Sequence, residues 1–182
     1  MGKCFLFLVL IFFIACGNRM KLPENNFTIH SDSTNDDYII GIIYPENYRE
    51  RDSCNIIYVA DGSIGLGQYV SGTNPEWKAK IPGRCIVITI GHTGNWEEKR
   101  RRDFIPADIT GNKEKDFGNA DRFYSFIKNE LKPVINKKIQ RSKDSYFIGH
   151  SFSGLFCLYA SLKNENLFQG YFAISPSVWA ND

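Results

Sequence analysis

One serine of this sequence stands where a turn would expose its hydroxyl for nucleophilic chemistry. Ser151 follows a short apolar run, residues 146–148, in the segment Gly-His-Ser-Phe-Ser-Gly, and a second apolar run follows it. This order predicts a buried strand, a tight turn and a helix, the local structure of a G-x-S-x-G nucleophile elbow. The free N–H groups at the start of such a helix would stabilise negative charge near the serine. The alternative is a glycine-rich turn with an incidental serine, because short motifs also match by chance.

The turn imposes a steric condition on the positions two residues before and two residues after Ser151. The chain passes close to itself there, so both side chains must be small. Gly149 meets this condition, and Ser153, which stands where the motif has its second glycine, is still small. We therefore expect the turn to tolerate glycine at position 153 and to reject a large side chain such as leucine.

The rest of the chain alternates between strand-like and helix-like segments. Continuous β-branched runs at 55–60 and 85–90 are typical of parallel strands covered on both faces. Apolar residues recur at helical spacing over 119–139, with Asn119 as the predicted N-cap and Pro133 as a predicted kink or break. The remaining predicted elements are strands at 27–30, 38–44, 146–148 and 170–175 and a helix at 154–162. This alternation predicts an α/β fold with a mostly parallel sheet and helices on both faces.

Composition narrows the class of protein. The chain of 182 residues is long enough for one domain, and its hydrophobic content of 43% argues against disorder. A net charge of +2 gives no reason to expect a nucleic-acid partner. No Cys-x-x-Cys pair or His/Cys cluster occurs, so neither a metal nor a cofactor is predicted. We expect Cys54, Cys85 and Cys157 to be buried free thiols, with a Cys54–Cys85 disulfide as the alternative.

The pattern of the amino-terminal residues predicts a targeting segment. Lys3 precedes an apolar run at 4–14 that is too short to span a bilayer comfortably. The run ends in Phe-Ile-Ala-Cys-Gly, which resembles a bacterial lipobox, with cleavage before Cys16 and lipid on its thiol. Residues 1–15 would then be a lipoprotein signal peptide, and polar residues 16–26 a tether between the membrane and the domain. The alternatives are an ordinary signal peptide and an uncleaved anchor.

Four ordered motifs carry a resemblance to a known family. They are Tyr58-Val-Ala-Asp-Gly62, Arg102-Asp-Phe-Ile-Pro106, Gly149-His-Ser-Phe-Ser-Gly-Leu155 and Ala173-Ile-Ser-Pro-Ser-Val-Trp179. In this order the motifs resemble the putative esterase family of α/β-hydrolases, in particular its siderophore (enterochelin-type) esterase branch, related to S-formylglutathione hydrolase. The resemblance covers residues 27–182 and implies an α/β-hydrolase domain that acts on carboxylic esters.

The resemblance also implies roles for individual residues. Ser151 matches the nucleophile that forms an acyl-enzyme with a small-molecule ester. The backbone N–H of Phe152 matches one oxyanion donor, and the N–H of Gly62 or Ser63 is the candidate for the second. Without the family, the Asp-Gly pair at 61–62 would be interpreted only as a strand-ending turn.

Three further residues are candidates for lining the substrate crevice. Arg102 and Asp103 lie in the long connection after the fourth predicted strand, and the resemblance makes them candidates for ordering the site or contacting an acidic or phenolic substrate. A solvated basic loop is the alternative. Trp179, like Trp96, is a candidate crevice wall, with packing against the core or its edge as the alternative.

The nucleophile needs a base, and the sequence offers no obvious one. The triad order in this fold is Ser, acid, His, yet no histidine follows Ser151. His150 is expected to point away from its neighbour, His92 to lie at the edge of the site, and His30 at the surface. We therefore expect the acid and the histidine in a segment beyond residue 182, and the chain as written to be an almost inactive fragment. An acyltransferase of the same fold and a non-catalytic surface lipoprotein remain alternatives.

Overall fold

A six-stranded mixed sheet forms the centre of the protein. The computed structural model describes residues 25–45, 48–64, 67, 85–107, 118–163 and 165–180. Within them the strands are β1 (Asn25–Ser31), β2 (Asp36–Ile43), β3 (Cys54–Ala60), β4 (Cys85–His92), β5 (Ser142–His150) and β6 (Gly170–Ile174). The helices are α1 (Trp96–Phe104), α2 (Ala120–Phe126), α3 (Lys132–Lys138) and α4 (Phe152–Ser161). All six predicted strands are present.

The strand order is β1-β2-β4-β3-β5-β6. β1 pairs with β2 and β2 with β4 in the antiparallel sense, whereas β4, β3, β5 and β6 are mutually parallel. The continuous apolar runs of β3 and β4 lie in the middle of the sheet, as expected for strands buried on both faces. The carboxyl ends of β3, β4 and β5 therefore meet at one edge, where ligand crevices form in parallel sheets.

One face of the sheet carries the main core. Side chains from β2, β3, β4 and β5 pack there against the described helices, with Phe104, Phe123, Phe147 and Phe156 among the fully buried rings. Because side chains alternate along a strand, Ile43, Val59 and Val87 form a smaller cluster on the opposite face. The mostly parallel α/β architecture is confirmed. The described helices pack on the first face. The predicted helices of the second face therefore remain a prediction.

The predicted helix at 119–139 forms with one irregularity. A π-helical turn at Ile127–Leu131 separates α2 from α3, and Pro133 stands in the first turn of α3. Proline lacks an N–H and crowds the carbonyl one turn earlier, so a widened turn before it accommodates the ring without ending the helix. Asn119 occupies the N-cap position of α2, as predicted, but its side chain makes no capping hydrogen bond.

Helix α1 lies in the long connection after β4, where the sequence analysis predicted no helix. The helix is polar on nearly all sides and buries only Asp103 and Phe104, so no apolar stripe marked it in the sequence. A different signal was present. Glu97 and Glu98 lie in its first turn and arginines in its last, the distribution that complements a helix dipole.

Two further sequence expectations can be compared with the structure. No disulfide joins Cys54 to Cys85, as predicted; Cys54 and Cys157 are buried, and Cys85 is only partly buried. None of the helices in the described ranges is long and apolar enough to cross a membrane. The predicted signal peptide and the lipidation site at Cys16 lie outside the described residues.

Candidate active site

Ser151 occupies a strained turn between β5 and α4. Its backbone has φ 62° and ψ −119°, a conformation that L-residues other than glycine rarely adopt. Hydrogen bonds hold it there. The Ser151 N–H donates to Ile174 O at 3.1 Å, and the Ser151 carbonyl accepts from the N–H groups of Leu155 and Ser177 at 3.0 and 3.1 Å. The strand-turn-helix geometry predicted for this segment is therefore present.

The predicted close approach within the turn is also present. A Cβ added to Gly149 would lie 2.1 Å from the carbonyl oxygen of Ser153 and 2.4 Å from its carbonyl carbon. Both are backbone atoms that cannot rotate away. Position 149 therefore accepts glycine alone without movement of the chain.

Ser153 has a larger role than its small size suggested. It is fully buried, and its Oγ accepts the N–H of His150 at 2.8 Å. The same Oγ lies 2.9 Å from Asp61 Oδ2 and 2.9 Å from His150 O. A glycine at this position would remove all three contacts. The expectation that glycine is tolerated considered only the size of the side chain and not these hydrogen bonds.

Ser177 is a neighbour of the nucleophile that sequence reasoning did not single out. Its Oγ lies 2.9 Å from Ser151 Oγ, and the residue is 2% exposed. The signal was available, because Ser177 belongs to the Ser-Pro-Ser-Val-Trp motif that supported the family resemblance. No rule of spacing, however, relates this serine to Ser151, which lies 26 residues earlier in the chain.

The structure separates the two candidates for the second oxyanion donor. The N–H of Gly62 donates to Ile90 O at 2.7 Å and is therefore occupied by the end of β4. Within the described ranges, Ser63 N–H and Phe152 N–H donate to no other group. Phe152 is the first residue of α4, where backbone N–H groups lack intrahelical acceptors. Among the described residues, Gly62 N–H thus has an acceptor, whereas Ser63 N–H and Phe152 N–H remain candidates for the two oxyanion donors.

Asp61 and Arg100 form an ion pair beside these donors. The Arg100 Nε and Nη2 atoms donate to the two Asp61 oxygens at 2.5 and 3.0 Å, and the side chains are only 13% and 5% exposed. Asp61 itself has a positive φ of 60°. Sequence reasoning regarded Asp61 as part of a turn and did not select Arg100, because nothing local in the sequence relates residues 39 positions apart.

The prediction that Asp103 lines the substrate crevice is wrong. Asp103 is fully buried and accepts hydrogen bonds from Tyr38 Oη at 2.6 Å and from Arg102 Nε at 2.6 Å, with His92 Nε2 at 3.0 Å. Burial alone would raise the pKa of the Asp103 carboxyl, but the hydrogen bonds from His92 and Arg102 outweigh it and hold the pKa below its usual value. The carboxylate is thus a buried structural anion on the inner side of α1.

Arg102 belongs to the same buried network. Its guanidinium donates to Asp103 and, at 2.8 Å, to Asp36 on β2, and its side chain is 19% exposed. Because the guanidinium donors already have carboxylate partners, Arg102 fits the role of ordering the site and not that of contacting the substrate. Arg102 secures α1 to the β1–β2 hairpin.

None of the three histidines bonds to the nucleophile. His92 is 2% exposed and packs among Tyr38, Phe104 and Phe123, so the expectation that it lies at the edge of the site is wrong. His30 is exposed and pairs with Asp37 at 2.8 Å, which agrees with its predicted surface position. His150 is exposed and is tied to the turn through its backbone. Among the described residues, the side-chain partner of Ser151 Oγ is Ser177.

Aromatic and cationic side chains surround the helix end next to the nucleophile. Trp179 is 61% exposed, and its ring centroid lies 6.0 Å from that of Phe152. The Arg100 and Arg101 guanidinium carbons lie 5.6 and 5.8 Å from the centre of the Phe152 ring. Trp96, 37% exposed, contacts Arg100 in the same way at 6.0 Å. The alternative of core packing for Trp179 does not agree with its exposure.

The chain is similar to known proteins both in sequence and in fold. Residues 31–181 match the family described as Putative esterase. The chain is 30% identical over 181 residues to the ferri-bacillibactin esterase BesA of Bacillus subtilis, covering 90% of this chain and 62% of that protein. It is 26% identical over 175 residues to the siderophore triacetylfusarinine C esterase of Aspergillus fumigatus, covering 89% and 59%. The crystal structure of the BES protein from Bacillus cereus superposes with a TM-score of 0.72 at 27% identity, covering 90% and 66%. The chain thus spans about 60% of the length of these two esterases.

Proposed function

Since this chain belongs to the putative esterase family and has the α/β-hydrolase fold, we propose that it carries the nucleophile and the oxyanion site of a serine esterase. The single observation that carries the proposal is the strained backbone of Ser151 at the junction of β5 and α4. Strain of this kind persists only where the surrounding structure enforces it, and the next residue is Phe152, whose N–H has no acceptor among the described residues.

The proposed reaction follows from these positions. Ser151 Oγ attacks the ester carbonyl carbon while its proton passes to a base, and the carbonyl oxygen becomes an oxyanion that accepts hydrogen bonds from Phe152 and Ser63 N–H. The C–O bond to the leaving alcohol then breaks, and the alcohol takes up the proton. Water cleaves the acyl-enzyme by the same route, releasing the acid and restoring Ser151.

None of the three histidines in residues 1–182 is placed to act as this base. His92 is engaged with Asp103, His30 with Asp37, and His150 is exposed beside the turn. The hydroxyl of Ser177 cannot act as an effective base, because a neutral serine accepts a proton poorly at neutral pH. Ser177 instead fits a role in holding the rotamer of Ser151.

The proposed substrate is an ester of an anionic, aromatic siderophore. One relative is named a siderophore triacetylfusarinine C esterase and the other a ferri-bacillibactin esterase. Arg101 is exposed and lies against Phe152, with Trp96 and Trp179 exposed nearby, so the surface beside Ser151 combines a positive charge with open aromatic faces. Such a surface suits a substrate that carries both rings and negative charge.

We further propose that the domain is exported and tethered to a bacterial membrane by lipid on Cys16. The support is the sequence alone, namely an apolar run that ends in Ala-Cys-Gly. Metabolic labelling with a fatty acid should be lost in Cys16→Ala and kept in Cys4→Ser, a cysteine within the same leader. Label that persists in Cys16→Ala would contradict the lipid anchor.

Chemical rescue tests the catalytic proposal directly. The purified 182-residue chain should react slowly with a fluorophosphonate at Ser151, and added imidazole should accelerate the reaction by replacing the base. Ser151→Ala should not react, whereas Ser161→Ala, which alters an exposed serine of the same helix, should react like the wild type. Peptide mapping identifies the modified residue. Absence of modification at Ser151 at high imidazole would refute the proposed function.

The second candidate, a non-catalytic protein that keeps the fold for binding, has one observation in its favour. The hydroxyl bonded to Ser151 belongs to Ser177 and not to a basic side chain. The rescue experiment separates the two functions, because a binding protein has no reason to show imidazole-dependent modification at Ser151. Esterase and acyltransferase are separated by product analysis with an alcohol acceptor.

A further inference from the structure

A buried hydrogen bond joins the loop after β3 to the turn after β5. Asp61 lies in that loop, and Ser153 lies in the turn that carries Ser151. We propose that Asp61 and Ser153 are positioning residues that fix the distance between the two oxyanion donors, Ser63 N–H and Phe152 N–H. The inference rests on the proposed function, because it concerns the placement of those donors.

The direction of the bond follows from the partners of the Ser153 hydroxyl. Its oxygen accepts the N–H of His150 at 2.8 Å, so its single hydrogen remains for one of two acceptors. These acceptors are Asp61 Oδ2 and His150 O, both at 2.9 Å. A carboxylate is the stronger acceptor, and therefore Ser153 donates to Asp61.

Asp61 is itself held rigidly from other directions. Arg100 donates hydrogen bonds to both carboxylate oxygens of Asp61, and the Asp61 carbonyl accepts the N–H of Ile64 at 2.9 Å. The backbone of Gly67 approaches so closely that a Cβ there would lie 2.2 Å from the Asp61 carbonyl oxygen. Because Asp61 is fixed in this way, a displacement of Ser153 would also displace the loop that contains Asp61.

The other hydrogen bonds of the loop after β3 connect it to β4. Gly62 N–H bonds to Ile90 O, and Ser63 Oγ lies 3.5 Å from His92 O, so both residues attach the loop to β4. Among the hydrogen bonds of the described ranges, the contact between Asp61 and Ser153 alone attaches it to the nucleophile turn. The pairing of β3 with β5 brings the two segments together, and this bond is the hydrogen bond beyond the strand ends that can hold Ser63 in position relative to Phe152.

This dependence matters because oxyanion donors act only over a narrow range. They must lie about 2.7–3.1 Å from the developing oxyanion, and a shift of about 1 Å in a reacting group can cost roughly 100-fold in rate. A glycine at position 153, as the motif has it, could not make the link. The serine here therefore still meets the steric requirement and adds a hydrogen bond between two loops.

The first test asks whether the two loops are coupled. In ¹⁵N-labelled protein, Ser153→Ala should shift the amide resonances of Gly62 and Ser63, which lie about 90 residues earlier in the chain. The matched control is Ser161→Ala, at the other end of α4, where the hydroxyl donates to Leu158 O. It should leave those resonances unchanged. Unmoved Gly62 and Ser63 amides in Ser153→Ala would overturn the proposal.

The second test asks whether the coupling serves the reaction. Fluorophosphonate inactivation in the presence of imidazole is measured over a range of reagent concentrations, which separates the maximal rate from reagent affinity. Ser153→Ala and Ser153→Gly should lower the maximal rate about 10- to 100-fold and leave affinity unchanged, since misplaced donors affect the oxyanion and not the bound reagent.

Each outcome of the second test has one meaning. Loss of folded protein would reduce the modified fraction without changing the rate constant, so a structural effect is recognised as such. Equal rate constants for Ser153→Ala and Ser161→Ala would overturn the positioning role. Absence of Ser151-dependent modification in the wild type would instead count against the proposed function. In that case the amide shifts of the first test would alone show whether Ser153 is coupled to the loop of Gly62 and Ser63.

Discussion

Replacement of Gly149 by alanine tests the geometry on which the nucleophile turn depends. The new methyl carbon would lie 2.1, 2.4 and 2.9 Å from Ser153 O, Ser153 C and Gly154 N. Ordinary carbon contacts are about 3.5–4.0 Å, so the chain must move by more than 1 Å on one side of the turn. All three atoms belong to the backbone of the helix start, and no rotamer change relieves the overlap.

The expected cost is at the upper end of that for overpacking. Extra methyl groups in tight interiors destabilise by about 1–3 kcal/mol, and here the obstacle is backbone, so we expect about 3 kcal/mol or more. For a domain of this size 1 kcal/mol lowers Tm by about 2–4 °C, which gives a decrease of at least roughly 6–12 °C. Thermal unfolding followed by circular dichroism measures this decrease.

Gly94→Ala provides the matched control. Gly94 also precedes a helix, α1, but it has φ +63° and no atom within 4 Å of an added Cβ. Its substitution should cost only the backbone strain of a left-handed alanine, about 1–2 kcal/mol. A Gly149→Ala protein that melts within 2 °C of the wild type, or no lower than Gly94→Ala, would refute the inferred close approach.

Three further outcomes are expected. Tyr58→Phe should leave stability unchanged or raise it by up to about 1 kcal/mol in urea unfolding, because Tyr58 Oη is buried without a hydrogen-bond partner among the described residues; a loss above 1 kcal/mol would show a missed partner. Burial lowers the pKa of Lys132 from 10.5 to about 8, so the folded state binds fewer protons than the unfolded state, and the stability of the wild type relative to Lys132→Met should rise from pH 8 to pH 10.5; parallel pH profiles would contradict this. Ser177→Ala should slow the imidazole-assisted modification of Ser151 and leave Tm almost unchanged, as only one hydroxyl is removed, and an unaltered rate would exclude a role in holding Ser151.

Local sequence was sufficient for the strands and for the nucleophile turn. The runs of β3 and β4 are apolar on both faces, and only a central strand can bury such a run. The turn at Ser151 is also a local structure, since its steric requirement involves residues within four positions of one another. Gly149 could therefore be assigned from the sequence, and the added Cβ contact of 2.1 Å agrees with that assignment.

Helix α1 and the burial of His92 could not be assigned in this way. Charged residues cover α1 on nearly all sides, and it is held by Arg102 and Asp103 through partners on β2 and β4 rather than by an apolar stripe. His92 was expected at the edge of the site because it ends a strand. Whether a strand end is open or covered depends on which helix packs over it, and that is a property of the whole fold.

The sequence by itself determined that Ser151 is presented on a turn between a strand and a helix, because the forces involved act between neighbours in the chain. The tertiary structure alone decided what surrounds that serine. Ser177 lies 26 residues from Ser151 in the chain, and Asp61 lies 92 residues from Ser153. These pairs meet because the parallel strands β3, β5 and β6 end at one edge of the sheet, and residue types carry no information on which distant partner a strand order brings near.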